Sequence, residues 1–64
     1  MLDKEEIKKL ILELIRNNPG ILFSEIVEAL QLDPDIVAVC LDELEEEGKI
    51  ESVDIVFIKY NKYN

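Results

Sequence analysis

Asp33-Pro34 and Gly48 bracket the segment DPDIVAVCLDELEEEG and fix both ends of one helix. Asp33 is an N-cap residue whose carboxylate can take an orphan backbone N–H. Pro34 suits the first helical position, where a missing N–H costs nothing. Gly48 can adopt the left-handed conformation that stops a helix without steric penalty. The spacing predicts a helix over about 33–47. At 100° per residue its Val37, Leu41 and Leu44 cluster within about 60°, which makes them the core stripe. Leu32 can staple onto Val37, and Ile50, just past the glycine, can pin the following chain under the helix.

The chain on either side supplies what such a helix packs against. Ile7, Leu10, Ile11, Leu14 and Ile15 form the i, i+3, i+4 stripe of an amphipathic helix over about 3–17. Asp3 and Glu6 are spaced as a capping box, with Leu2 placed to staple onto Ile7. Asn17-Asn18-Pro19-Gly20 ends it, since Pro cannot continue the ladder. Ile21-Leu22-Phe23 reads as a short strand, and Ser24 as the cap of a second helix over about 24–31 that buries Ile26, Ala29 and Leu30, with Val27 at the margin. Gln31-Leu32-Asp33 is a tight connection. Beyond Gly48, Lys49–Ser52 and Ile55–Tyr60 are β-prone, which predicts a hairpin over about 49–60 with a very short turn at Val53-Asp54. Residues 61–64 read as a polar tail in which KYN occurs a second time.

These pieces fit one small domain, residues 1–64, of mixed but mainly α class: three helices with a small antiparallel β-sheet. Helix, short strand, helix, tight turn, helix, hairpin is the order of a winged helix-turn-helix. The stretch LFSEIVEALQLDPDIVAVCLDELEEEGKIE resembles the winged-helix domains of bacterial and archaeal transcription regulators. The best-matched part is Leu41 to Ile50: two leucines three apart, an acidic run, Gly, then an apolar residue entering the first wing strand. The resemblance implies DNA binding through the third helix. Such proteins typically carry Ser, Thr, Arg, Lys, Gln or His at its early solvent-facing positions, where they reach base edges and phosphates. This chain has Asp35, Ile36, Ala38 and Val39 there, with Cys40 at the margin of the core stripe.

Charge sharpens that departure. The net charge is −8, from 15 acidic and 7 basic residues. Residues 21–58 carry only Lys49 among their acids, whereas residues 1–20 are neutral and 59–64 are basic. A surface this negative repels phosphate backbones and favours basic partners. The third helix therefore reads as a protein-interaction patch of Asp35, Ile36, Val39, Asp42, Glu43 and Glu46: a small apolar centre inside an acidic rim. Two alternatives stay open. Ile36 and Val39 can rest against the hairpin or the first helix, or the helix can still read a groove. For DNA, the available phosphate contacts are Lys49, Lys59, Tyr60, Asn61 and Lys62, joined by Lys8, Lys9 or Arg16. Such contacts position a protein and do not read bases. The same lysines also serve as solubilising or helix-pairing charges, as in Glu5–Lys9.

Catalysis is not expected. There is no His, and the single Cys40 lies among Val37, Val39 and Leu41, so no Ser-His or Cys-His nucleophile can be assembled. Without His or further Cys no structural zinc site of the usual ligand types is available, and no cofactor, metal or small-molecule substrate is indicated. Cys40 reads as a small buried hydrophobe. The winged-helix accessory proteins of bacterial ferrous-iron uptake are similar in layout but carry a cysteine cluster in the wing, and residues 50–58 here contain none. The apolar runs fall far short of the roughly 20 residues needed to cross a bilayer. With no signal-peptide layout and no disulfide partner, a reducing cytosolic location is expected. The leading expectation is a non-enzymatic module acting through protein contacts or self-association. Its alternative is a dimeric, sequence-specific DNA-binding regulator.

Overall fold

The computed structural model describes residues 3–52 and 57–60, with side chains from 3 to 51. Helix α1, Lys4–Asn17, begins where the Asp3 carboxylate accepts the Glu6 backbone N–H at 2.9 Å. Leu2, the expected staple, lies outside the described residues. α1 buries Ile7, Ile11 and Ile15, with Leu14 partly covered. Two positions depart from the expected stripe. Leu10 is exposed, while Lys8 is buried, because the helix turns the Lys8 edge towards a second helix and so rolls Leu10 out. The helix ends as the Asn18 side-chain amide donates to the Leu14 carbonyl at 2.8 Å.

Strand β1 is only Ile21–Leu22, and helix α2 follows as Phe23–Leu30. The cap is not Ser24, which lies inside the helix. Leu22 is the N-cap, and its backbone N–H donates to the Glu25 carboxylate at 2.9 Å, so the acid at the third helical position supplies the cap bond. Ile26 is the fully buried residue of α2, with Val27 and Leu30 partly covered. Ala29, expected inside, is exposed. In so short a helix the buried arc is narrow and centres on Ile26. Gln31 takes the left-handed conformation, φ 52°, and its N–H returns to the Val27 carbonyl at 2.8 Å. A non-glycine residue there stores about 1 kcal/mol of strain, offset by the tightness of the turn into the next helix.

Helix α3, Pro34–Glu46, has Asp33 as its N-cap, accepting from the Asp35 N–H at 2.8 Å, and Pro34 in its first turn. At its far end the Lys49 N–H donates to the Leu44 carbonyl and the Gly48 N–H to the Glu45 carbonyl, both at 3.0 Å, with Gly48 at φ 77°. This pair of bonds around a left-handed glycine is a Schellman stop, and it turns the chain directly into the sheet. Val37, Cys40, Leu41 and Leu44 are buried on one side of α3. With Ile7, Ile11, Ile15, Ile21, Ile26 and Ile50 they make one aliphatic core.

Strands β2, Ile50–Ser52, and β3, Phe57–Tyr60, complete a three-stranded antiparallel sheet in the order β1-β3-β2. The expected turn at Val53-Asp54 lies outside the described residues, but the register on either side corrects the expected pairing. A two-residue turn would set Ser52 opposite Ile55, whereas Ser52 faces Ile58 and Ile50 faces Tyr60. The same β3 residues pair with β1, Ile21 to Ile58 and Leu22 to Phe57. That second partner fixes where β3 must lie, and local turn preference yields to it. The sheet, α1 and α3 enclose the core, and α3 keeps one long side open to solvent.

Candidate interaction surface on the third helix

The open side of α3 follows from its period. Its buried residues recur at 37, 40, 41 and 44, which leaves Asp35, Ala38, Val39, Asp42, Glu45 and Glu46 on the outside. Ile36 and Val39 are 44% and 50% exposed, the values that settle whether they rest against the fold or face outward. They are neighbours at i, i+3 on the helix surface. Asp35 and Asp42 stand a turn to either side of Val39, with Glu46 beyond. α3 carries no cation.

Glu43, grouped with that patch in the sequence, is turned the other way. Its carboxylate meets Lys4 at 2.5 Å and Lys8 at 3.3 Å, while Lys8 also binds Glu47 at 2.5 Å and approaches Glu5 at 3.7 Å. Lys8 pairs with Glu5, one turn below it, and not in the Glu5–Lys9 spacing. Its side chain is only 7% exposed, so it is closed to a phosphate. Glu47 further engages Lys49, a candidate phosphate contact, at 3.4 Å. The result is a ladder of two lysines one turn apart on α1 against two glutamates one turn apart on α3. Those matching i, i+4 spacings, Lys4/Lys8 and Glu43/Glu47, were the only signal in the sequence, and nothing local says that the two pairs meet.

The ladder shifts the titration of its members. The hydrogen bond from Lys4 holds the Glu43 carboxyl below its usual range, and that from Lys8 does the same for Glu47. The Glu43 and Glu47 carboxylates in turn hold Lys4 and Lys8 above the usual lysine value of 10.5. With the carboxyls depressed in the folded state, their contribution to stability is present above about pH 4.5 and is lost as pH falls through their lowered values. With the lysines raised, their contribution is present below about pH 10.5 and lost above it. The thermal midpoint should therefore fall on acidification below about pH 4.5, and Lys8→Gln should flatten that fall; melting curves between about pH 2.5 and 7 measure both. Equal acid slopes in the two chains would show that the ladder does not carry the effect.

Lys9 and Arg16 are exposed cations of α1, as is Lys4, but they differ from it in having no carboxylate partner among the described residues. Lys9 and Arg16 thus make no ion pair among these residues, and with Leu12 and Glu13 they line a shallow depression. Lys59 and Tyr60 lie on β3, their side chains outside the described set, and Asn61 and Lys62 are outside the described residues. Of the five expected phosphate contacts, Lys49 alone has its side chain among the described residues. Cys40 is fully buried, and burial pushes its thiol above the usual value. Among the described residues no group of acids, His or Cys could hold a metal ion, and no helix is long and apolar enough to cross a membrane.

The match to known families decides what this arrangement is. Residues 4–51, from the start of α1 into β2, match the winged helix-turn-helix DNA-binding family. The chain belongs to that family. No curated protein and no solved structure matches it. In this winged helix, α2 and α3 are the helix-turn-helix pair joined through Gln31, and β2 and β3 are the wing. α3 occupies the place of the helix that enters the major groove, yet its outward residues are acidic and aliphatic.

Proposed function

We propose that this winged helix is a non-enzymatic module, related to transcription regulators and working inside the cell, whose third helix docks protein. One observation carries the reading: the outer side of α3 presents Ile36 and Val39 among Asp35, Asp42 and Glu46 with no cation on the helix. In a major groove each of those carboxylates would face phosphate or base-edge acceptors, and no Arg or Lys offsets the repulsion. Against a protein, the apolar pair desolvates while the acidic rim steers a basic surface towards it. The ladder adds to this, since it buries Lys8 away from a phosphate backbone and engages Lys4 with Glu43.

The second reading is a dimeric, sequence-specific DNA-binding regulator that touches phosphates through Lys49, Lys59, Tyr60, Asn61 and Lys62. The family description favours it. Titration of duplex DNA in low salt, then at about 150 mM, separates the two. The protein-docking reading expects no binding tighter than about micromolar at the higher salt. Tighter binding with a steep salt slope would overturn it. Val39→Lys should alter a partner interaction or the oligomeric state, and a variant indistinguishable from wild type in both would also count against it.

A further inference from the structure

Leu10 and Ala29 share an anomaly: the apolar pattern of the sequence writes both into the core, and the fold leaves both outside, Leu10 being 40% exposed. They border one opening. Helix α1 packs on α3 and the sheet, and α2 packs on β1 and α3, so a groove stays open between the end of α1 and α2. It measures about 520 Å³ and is lined by apolar Leu14, Pro19, Ile21 and Ala29 together with Asn17 and Glu25. Leu10 stands one turn before Leu14, about 40° round α1 from it, and prolongs the apolar wall.

The charges around the groove name its occupant. On α1, Leu10 has Glu6 and Glu13 on its outer side, about 40° and 60° away. On α2, Glu25 lines the groove, Glu28 lies one row further out, and the helix carries no cation. Glu25 uses one carboxylate oxygen on the Leu22 N–H, and its other oxygen makes no bond among the described residues. The C-terminus of α1 opens onto the same groove at Asn17 and adds the partial negative charge of its last carbonyls. Lys9 and Arg16 lie about 100° and 120° round α1 from Leu10, on the side of the other depression. A strand cannot add to the neighbouring sheet edge, because both N–H groups of β1 are engaged, Ile21 with the Asn18 carbonyl at 3.1 Å and Leu22 with Glu25 at 2.9 Å. We infer that the groove receives a basic amphipathic helix of a partner protein, whose apolar side packs on Leu10, Leu14 and Ala29 while a Lys or Arg reaches Glu25 and the end of α1. The apolar contacts supply affinity, and the acids select for cations. This groove is separate from the outer side of α3, and its occupant does not depend on what α3 docks.

The test is titration of the isotope-labelled full chain with a synthetic peptide of about 18 residues, Leu and Lys in amphipathic helical order, at about 150 mM salt, followed by amide chemical shifts. Shifts should gather at Leu10, Leu14, Asn17 and Ala29, with a Kd of about 100 μM. A peptide of the same composition with its helical period scrambled, and one with every Lys replaced by Glu, should each bind about tenfold more weakly or worse. Ala29→Arg and Leu10→Ser, both at exposed positions and checked by helical circular dichroism, should weaken the amphipathic peptide to a similar degree. Val39→Lys, on the far surface, should leave its affinity within about twofold. No shifts up to about 1 mM peptide, or shifts confined to Ile36, Val39 and their neighbours, overturn the proposal. Equal binding of the scrambled peptide overturns it too, by showing only a general attraction of an acidic chain for cations. Shifts at Leu10 and Ala29 that grow with protein concentration in the absence of peptide would make a second copy the occupant, and would overturn it as well.

Discussion

Leu44→Ala should lower the unfolding free energy by about 2–5 kcal/mol, the usual loss when a fully buried aliphatic side chain is cut back and its cavity cannot close. Leu44 is 1% exposed, and it sits in the last turn of α3, where its carbonyl also accepts the Lys49 N–H of the helix stop. The cavity would open between α1, α3 and the start of β2, where the core joins helices to sheet. A domain this small has only a few kcal/mol in hand, so the variant should show a substantial unfolded fraction at 25 °C. Val39→Ala removes a side chain of similar chemistry from the same helix, but from a half-exposed position, and should lose less than about 1 kcal/mol. Urea unfolding followed by helical circular dichroism compares them. Equal losses would mean that Val39 is covered in solution.

Cys40→Asp should abolish the cooperative thermal transition at neutral pH. Cys40 is fully buried on the inner side of α3, and the cations that act on it, Lys4 and Lys8 at the edge of the seam, are already held by Glu43 and Glu47. A carboxylate there costs several kcal/mol, which exceeds what the fold has in reserve. Cys40→Ala keeps the apolar contact apart from one sulfur atom and should cost only about 1 kcal/mol, so the pair separates charge burial from loss of volume. If both variants melted together, the space around Cys40 would have to be open to water, contrary to its position in the core.

What the sequence reveals of this fold is what neighbouring residues decide among themselves. Asp3 with the Glu6 N–H, Asp33 with Pro34, and Gly48 with its two return bonds each involve residues within one turn, and each was readable from residue type alone. The inner stripe of α3 was readable for the same reason, whereas the periodicity alone left open whether Val39 faces outward or rests on the fold. The ladder and the sheet register were hidden, because Lys8 meets Glu43 and Glu47 across most of the chain and β3 is positioned by β1 as much as by its hairpin partner. Leu10 and Lys8 were misjudged together: an apolar residue at the margin of a stripe is rolled out when a lysine on the other margin finds two carboxylates. Ser24 was passed over as a cap because Glu25 reaches back to Leu22 from inside the helix. On the outer side of α3 the positions of Asp35, Asp42 and Glu46 follow from the helical period, whereas the exposure of Ile36 and Val39 and the inward turn of Glu43 depend on what the rest of the fold packs there.

The strand order β1-β3-β2 has a consequence for how the molecule comes into being. β3 is the last of the described strands in chain order, yet it lies between the other two, so neither β1 nor β2 has a ladder partner until Phe57–Tyr60 arrives. As the chain emerges during synthesis, the helices can form and collapse on one another first, because their internal ladders are local and all three precede β3 in the chain. The sheet must wait for its centre. Ile21 has to be held near its final place across the whole helix-turn-helix pair before Ile58 can reach it, and closing that long loop is the slow step. In this chain the helices assemble as a vessel, and the wing seals it last.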